Sequence, residues 1–205
     1  MAMIAGACKN RRWRCILFKT AIISFTPKIM QANKSDNGSQ RWVAMGVCGC
    51  GKSEIGRRLA YQLGVDFFEG DDDHSASNVA KMAKGIPLDD ADRNEWLLSL
   101  QSRIAKARED GRGLVMSCSA LKRSYRDILR GGDPSLKFAH LDGDRTLIES
   151  RMRARTGHFM QVALLDSQFN TLEPLLREET GIVLDIRKNQ EELVNEIILR
   201  SKGMI

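Results

Sequence analysis

Apolar residues along this chain fall into short runs separated by stripes at helical spacing. Trp42–Met45 is a compact apolar run that ends at a glycine, the pattern of a strand buried on both faces. Lys52–Leu63 predicts a helix, with Gly64 standing where a helix is commonly closed. Val65–Glu69 predicts a second strand. Asp90–Glu109 predicts a long helix, with acids at its start and Leu97, Leu100, Ile104 and Ala107 on one face. Leu114–Ser117 is a third strand, and Tyr125, Ile128 and Leu129 mark a short helix stopped by Gly131 and Gly132. Leu136–Leu141 is a fourth strand, Thr146–Thr156 a helix ended by Gly157, and Ile182–Asp185 a fifth strand. Gln190–Arg200 closes the pattern, with Leu193, Val194, Ile197 and Ile198 turned inward. Strands alternating with helices predict an α/β domain on a mainly parallel sheet, with no internal repeat.

The first forty residues do not share this pattern. They are basic, acid-poor and irregular, and end in the polar stretch Gln31–Gln40, which reads as a linker. The expected organisation is a leader over 1–40 and one domain over 41–205. The favoured reading of the leader is a disordered, dispensable tail. An organellar transit peptide is the second, and an upstream extension with Met30 as the true start is the third. Charge sharpens the division. The 205 residues carry 32 Lys and Arg against 26 Asp and Glu, a formal net charge of +6. Six of the cations (Lys9, Arg11, Arg12, Arg14, Lys19 and Lys28) and no acid fall within 1–29, so the rest of the chain balances to zero. That removes the case for a basic nucleic-acid-binding domain. The best apolar stretch, Cys15–Phe25, is too short for a membrane span and is broken by Lys19, so no membrane partner is expected. The five cysteines show no disulfide or zinc spacing, which suits the reducing cytoplasm, or an organelle if the leader is a transit peptide.

Chemistry enters where the first strand ends. Gly46-Val47-Cys48-Gly49-Cys50-Gly51-Lys52-Ser53 is G-x-x-x-x-G-K-S, the phosphate-binding P-loop. Its glycines let several backbone N–H groups turn toward one phosphate, and the helix that follows adds the positive end of its dipole. Lys52 is expected to reach the β- and γ-phosphates of ATP, and the Ser53 hydroxyl to ligate Mg²⁺. Cys48 and Cys50 read first as small side chains at positions that need only backbone donors. A second reading makes them redox-sensitive, because a helix N-terminus favours thiolates.

The second strand runs into Glu69-Gly70-Asp71-Asp72-Asp73-His74, four acids within five positions. Such a turn is either a solvated acidic loop and helix cap or, beside a P-loop, a place where a carboxylate meets the ligand crevice. Asp71 is the expected general base, and Glu69 is a candidate to hold a Mg²⁺-bound water. Asp72 and Asp73 read as cap or solvent residues. Basic residues gather later, at Lys122, Arg123 and Arg126 and again at Arg151, Arg153 and Arg155. Arg151–His158 ends in a glycine hinge and reads as a mobile lid. No strand ends in a Walker-B aspartate, which argues against motor-type and GTPase-type proteins and toward small-molecule kinases.

Taken in order, several segments resemble the gluconokinase family, relatives of shikimate kinase. They are M-G-V-C-G-C-G-K-S at 45–53, G-D-D-D-H at 70–74 and N-V-A-K-M-A-K-G-I-P-L-D-D-A-D-R at 78–93. C-S-A-L-K-R-S-Y-R-D follows at 118–127, then H-L-D-G at 140–143, G-H-F-M at 157–160 and L-L-D-S-Q-F-N-T-L-E-P at 164–174. The resemblance implies a three-layer P-loop NTPase fold, a five-stranded parallel sheet flanked by helices with a small lid. It implies ATP- and Mg²⁺-dependent phosphorylation of D-gluconate at its 6-hydroxyl, feeding the pentose phosphate route, and a homodimer as one option. By the same resemblance Asp71 faces the acceptor hydroxyl, Arg93 pairs with the substrate carboxylate, and Ser117–Ser119 lines the sugar-acid pocket. His74, Lys122, Arg123 and Arg126 become candidate substrate or phosphate contacts. Arg151 lies near the adenine, and Arg155 and His158 belong to the lid. The sequence departs from the family at Cys48 and Cys50, where serines are usual, at Glu54, where Ser or Thr is usual, and at Asp73, where an apolar or aromatic residue is usual.

Overall fold

The computed structural model describes residues 39–154 and 161–204; all of the expected leader except Ser39 and Gln40 lies outside them. Five strands form one sheet: β1 (Arg41–Met45), β2 (Asp66–Glu69), β3 (Leu114–Ser117), β4 (Lys137–Asp142) and β5 (Gly181–Asp185). Their order across the sheet is β2-β3-β1-β4-β5 and every pairing is parallel. The helices are α1 (Lys52–Leu63), α2 (Ala76–Ala83), α3 (Asp90–Glu109), α4 (Arg123–Arg130), α5 (Arg145–Arg153), α6 (Gln161–Thr171) and α7 (Gln190–Ser201).

Alternation along the strands divides the core in two. Trp42, Val115, Ala139, Leu141 and Leu184 pack with α1, α5 and α7 on one face. Val43, Met45, Met116 and Phe138 pack with α3 and α4 on the other. Both faces of the central strands are therefore covered, which is why their sequences read as continuous apolar runs. The expected bounds of α1, α3 and β3 match the structure. Strand β2 begins one residue late, because the Val65 N–H donates to Ala60 O and belongs to the end of α1. The helix expected over Thr146–Thr156 is α5, which ends at Arg153 with Ala154 as its cap.

In register, Ala44 sits opposite Ser117, and Ser117 opposite Glu69. The C-terminal ends of β1, β3 and β2 therefore lie side by side, and the loops leaving them share one rim. The corner after β3 is held from beneath. Arg126, fully buried on α4, makes a two-pronged ion pair with Glu179 at 2.7 and 2.8 Å. It also donates to the carbonyls of Ala120 and Leu121 at 3.2 Å, and to those of Glu173 and Pro174. Ala120 has φ +45°, a left-handed conformation uncommon for a residue with a Cβ. These hydrogen bonds over-determine that strained corner. Burial alone would raise the Glu179 carboxyl, but hydrogen bonds from Arg126, Leu176 N–H and Arg130 outweigh it and bring its pKa down to about 2.

Removing one partner of such a pair leaves the other buried and uncompensated. Arg126→Ala should lower unfolding stability by about 3–5 kcal/mol, measured by denaturant titration. Because the folded Glu179 pKa is depressed, its stabilisation is fully present above the unfolded value of roughly 4.3 and is lost as pH falls toward about 2. The stability difference between wild type and Arg126→Ala should shrink across that window.

Candidate active site

The P-loop turns between β1 and α1. Gly46 has φ +137°, and a Cβ there would stand 2.8 Å from Leu141 O. Gly51 has φ +106° and serves as the N-cap of α1 with no side-chain cap. The first N–H groups of α1 are thus left for an anion rather than satisfied by a capping side chain. Val47 and Cys50 pack into the core with Ile148 and Met152 of α5, so the loop is backed by protein. Lys52 Nζ donates to Val47 O at 2.9 Å, curling over the loop. Burial works against its charge, yet neighbouring Cys50 and Asp71 outweigh that and hold its pKa above the ordinary lysine value.

Lys52 opens into a cleft of about 590 Å³, counting its mouth. Cys48, Asp71, His74, Arg93, Trp96 and Ser119 line it, with Ser167 and Gln168 from α6 and an apolar wall of Met82, Ile86, Pro87 and Leu88. The acidic segment Gly70–Asp73 is a single 3₁₀ turn. It is fastened to α3, where Trp96 Nε1 donates to Gly70 O at 2.7 Å and Arg103 clasps Asp73 with two bonds of 2.8 Å. Asp71 stays exposed beside Lys52 and Ser119. His74 stacks on Trp96, ring centroids 4.2 Å apart, and its Nε2 lies 4.0 Å from the Asp71 carboxylate. Burial pushes the His74 imidazole below its ordinary range, against the pull of Asp71, so it is neutral at neutral pH. Its Nδ1 is buried and has no hydrogen-bond partner among the described residues.

Arg93 is steadied from behind. Its guanidinium donates to the carbonyls of Leu88 and Asp89 and to Tyr125 Oη at 3.5 Å. Tyr125 Oη donates in turn to Asp90, which Lys122 also grips through both carboxylate oxygens at 2.7 Å. This chain of contacts holds a half-buried cation at the cleft wall.

Several expected site residues stand elsewhere. Arg126 cannot be a substrate contact, since Glu179 and four backbone carbonyls enclose it. Lys122 and Arg123 do not line the cleft; Lys122 is bound to Asp90, and Arg123 to Glu178 at 2.8 Å. Ser117 is buried and donates its hydroxyl to Glu69, so of the two serines expected to line the pocket only Ser119 does. Glu69 is engaged by Ser117 and Arg57 and does not face the cleft, against the expectation that it holds a metal-bound water. Asp73 is an anchor rather than a solvent residue. Arg151, expected near the adenine, lies in the last turn of α5, donates to Ile186 O at 2.8 Å and acts electrostatically on Cys50 of the loop. Arg155 and His158 lie outside the described residues. Trp96, Tyr125, Asp90 and Gln168 received no role from sequence. Gln168 stands within one of the quoted family segments, which was its only signal.

Among the described residues no group of three or more His, Cys, Asp or Glu could hold a metal. A serine hydroxyl at the loop, without a carboxylate cage, fits Mg²⁺, which keeps waters and takes phosphate oxygens as ligands.

A family profile described as shikimate kinase matches residues 48–202. The chain is 42% identical over 158 residues to the thermoresistant gluconokinase of Escherichia coli (strain K12), covering 77% of this chain and 90% of that protein. It is 47% identical over 147 residues to the thermosensitive gluconokinase of the same organism, covering 70% and 77%. The crystal structure of a gluconokinase from Sinorhizobium meliloti 1021 superposes with a TM-score of 0.71 at 43% identity, over 77% of this chain and 89% of that one.

The thiols depart from the redox reading. Burial raises the Cys48 and Cys50 pKa values, more than Lys52 lowers them, and pushes buried Cys118 up to about 12. Alkylation at neutral pH followed by peptide mapping should therefore label Cys48, Cys50 and Cys118 at least about tenfold more slowly than a small exposed thiol. Rapid labelling of Cys48 or Cys50 would restore the redox reading.

Proposed function

This chain belongs to the gluconokinase family of shikimate-kinase-like P-loop kinases, and from that premise we propose that it transfers the γ-phosphoryl group of ATP to the 6-hydroxyl of D-gluconate. The observation that carries the reading is the sharing of one cleft by Lys52, Asp71 and Arg93, delivered by the ends of β1 and β2 and by the first turn of α3. The P-loop N–H groups and Lys52 bind and orient the phosphates. Arg93, already fixed by carbonyls and Tyr125, offers its remaining N–H donors to the gluconate carboxylate. Neutral His74, stacked on Trp96 beside Asp71, shapes the acceptor side of the cleft. Asp71 accepts the proton of the 6-hydroxyl as that oxygen bonds to phosphorus. The bond from phosphorus to the β-phosphate oxygen breaks, and ADP leaves with the electron pair. Mg²⁺, held by Ser53 and phosphate oxygens, would neutralise charge on the phosphates. Met82, Ile86, Pro87 and Leu88 offer an apolar surface to the carbon chain of the sugar acid. Among the described residues no helix is long and apolar enough to cross a membrane, and a reducing cytoplasm suits the unpaired thiols of Cys50 and Cys118.

A coupled assay of ADP release tests the reading. With ATP and Mg²⁺, gluconate should drive turnover, whereas shikimate should not. Lys52→Ala and Asp71→Asn should each lower kcat about a hundredfold or more while the thermal unfolding midpoint changes little. An Asp71→Asn protein with near-normal turnover would remove Asp71 as the base. ADP release that ignores gluconate would remove gluconate as the acceptor.

A further inference from the structure

Gln168, on α6, meets the P-loop at the cleft. The backbone N–H of Cys48 donates to its Oε1 at 2.7 Å. Because an N–H can only donate, this bond fixes the carboxamide: oxygen toward the loop, NH₂ away from it. Gln168 lines the same cleft as Lys52, Asp71 and Ser119, and its NH₂ has no hydrogen-bond partner among the described residues. Its mounting is firm. Leu165, one turn earlier on α6, is fully buried in the core, and Asp166 is bound by Arg145 at 2.6 Å. Just after α6, the Glu173 N–H donates to Leu121 O at 2.9 Å, which ties the helix to the corner held by Arg126. A rigid element thus carries an oriented donor to the phosphate loop.

We propose that Gln168 is a phosphate-contacting residue of the transfer site. Its carbonyl is seated on the Cys48 N–H, and its NH₂ donates to an oxygen of the γ-phosphoryl group. It adds a neutral donor to the lining it shares with Lys52, in a site that must hold the moving charge, and donors preset in this way strengthen as charge develops. The proposal rests on the phosphotransfer reading given above. The competing role is a structural latch, in which Gln168 only satisfies a loop N–H.

Two substitutions separate these roles. Gln168→Ala removes both contacts. Gln168→Glu keeps an acceptor for the Cys48 N–H but replaces the donor with an anionic oxygen. A latch would be rescued by Glu, whereas a phosphate donor would not. With wild type turning over gluconate, kcat should fall at least tenfold in Gln168→Ala and further in Gln168→Glu, with KM for gluconate within about twofold. Calorimetric titration tests the contact without an acceptor. A non-hydrolysable ATP analogue should bind Gln168→Glu at least fivefold more weakly than wild type, while ADP binds both equally. Equal affinity for the analogue, or Glu restoring the turnover that Ala loses, overturns the proposal. A wild-type protein inactive on gluconate that still shows the analogue-specific loss would fault the acceptor assignment and leave the Gln168 contact standing.

Discussion

A lysine ammonium enclosed at the mouth of β1 sets the terms for the residues around it. Lys52 reaches back to its own loop carbonyl, Val47 O, and its charge is kept although burial opposes it. A half-buried cation needs negative charge nearby, and Cys50 and Asp71 are the neighbours that favour it most. Among the described residues the one carboxylate lining the cleft is Asp71, whose side chain is exposed. Uncapped N–H groups at the start of α1 add positive potential at the same spot.

The parallel sheet brings the P-loop, the acidic turn and the Ser119 corner to one rim. With β1 beside β3 and β3 beside β2, loops far apart in sequence leave the sheet along one rim, and each carries a different part of the chemistry. The basic residues divide by burial. Arg126, fully enclosed, holds the Ser119–Leu121 corner through carbonyls and a buried carboxylate. Arg103 holds the acidic turn through Asp73. Arg93, half-buried and bound mainly through one nitrogen, keeps donors for a ligand. Arginine's planar fork suits both tasks, and what distinguishes them is whether protein acceptors surround it.

Much of this was legible in the sequence. The P-loop and the flanking elements β1 and α1 were readable because a buried strand and a helix start leave strong signals. Asp71 was readable from its place on the acidic turn beside a P-loop, whereas Arg93 stood out only when the order of several segments was matched to a family. The failures have physical causes. Helix α6 left a weak apolar stripe because Ser167 and Gln168 turn polar groups into the cleft. Arg126 reads like any helical arginine, and nothing local reveals that Glu179, 53 residues away, encloses it. Ser117 and Glu69 were expected to face the ligand, but they satisfy each other across the β2–β3 edge. For Cys48 and Cys50 the first reading, small side chains filling the loop, agrees with their burial, which raises their pKa values; the second, redox reading weighed the helix dipole and left burial out. The even balance of charge from Met30 onward also conceals sharp local segregation, with acids on the turn after β2 and cations around the loop.

The most direct test of phosphoryl transfer across the Lys52–Asp71 cleft is the structure of its product. Protein, ATP, Mg²⁺ and D-gluconate would be incubated and the mixture examined by ¹H–³¹P correlation NMR. The expected result is a new phosphate monoester whose phosphorus couples to the terminal methylene protons of the sugar acid, at C6. A phosphate on any other carbon, or no phosphorylated acid while ATP remains bound, would contradict it.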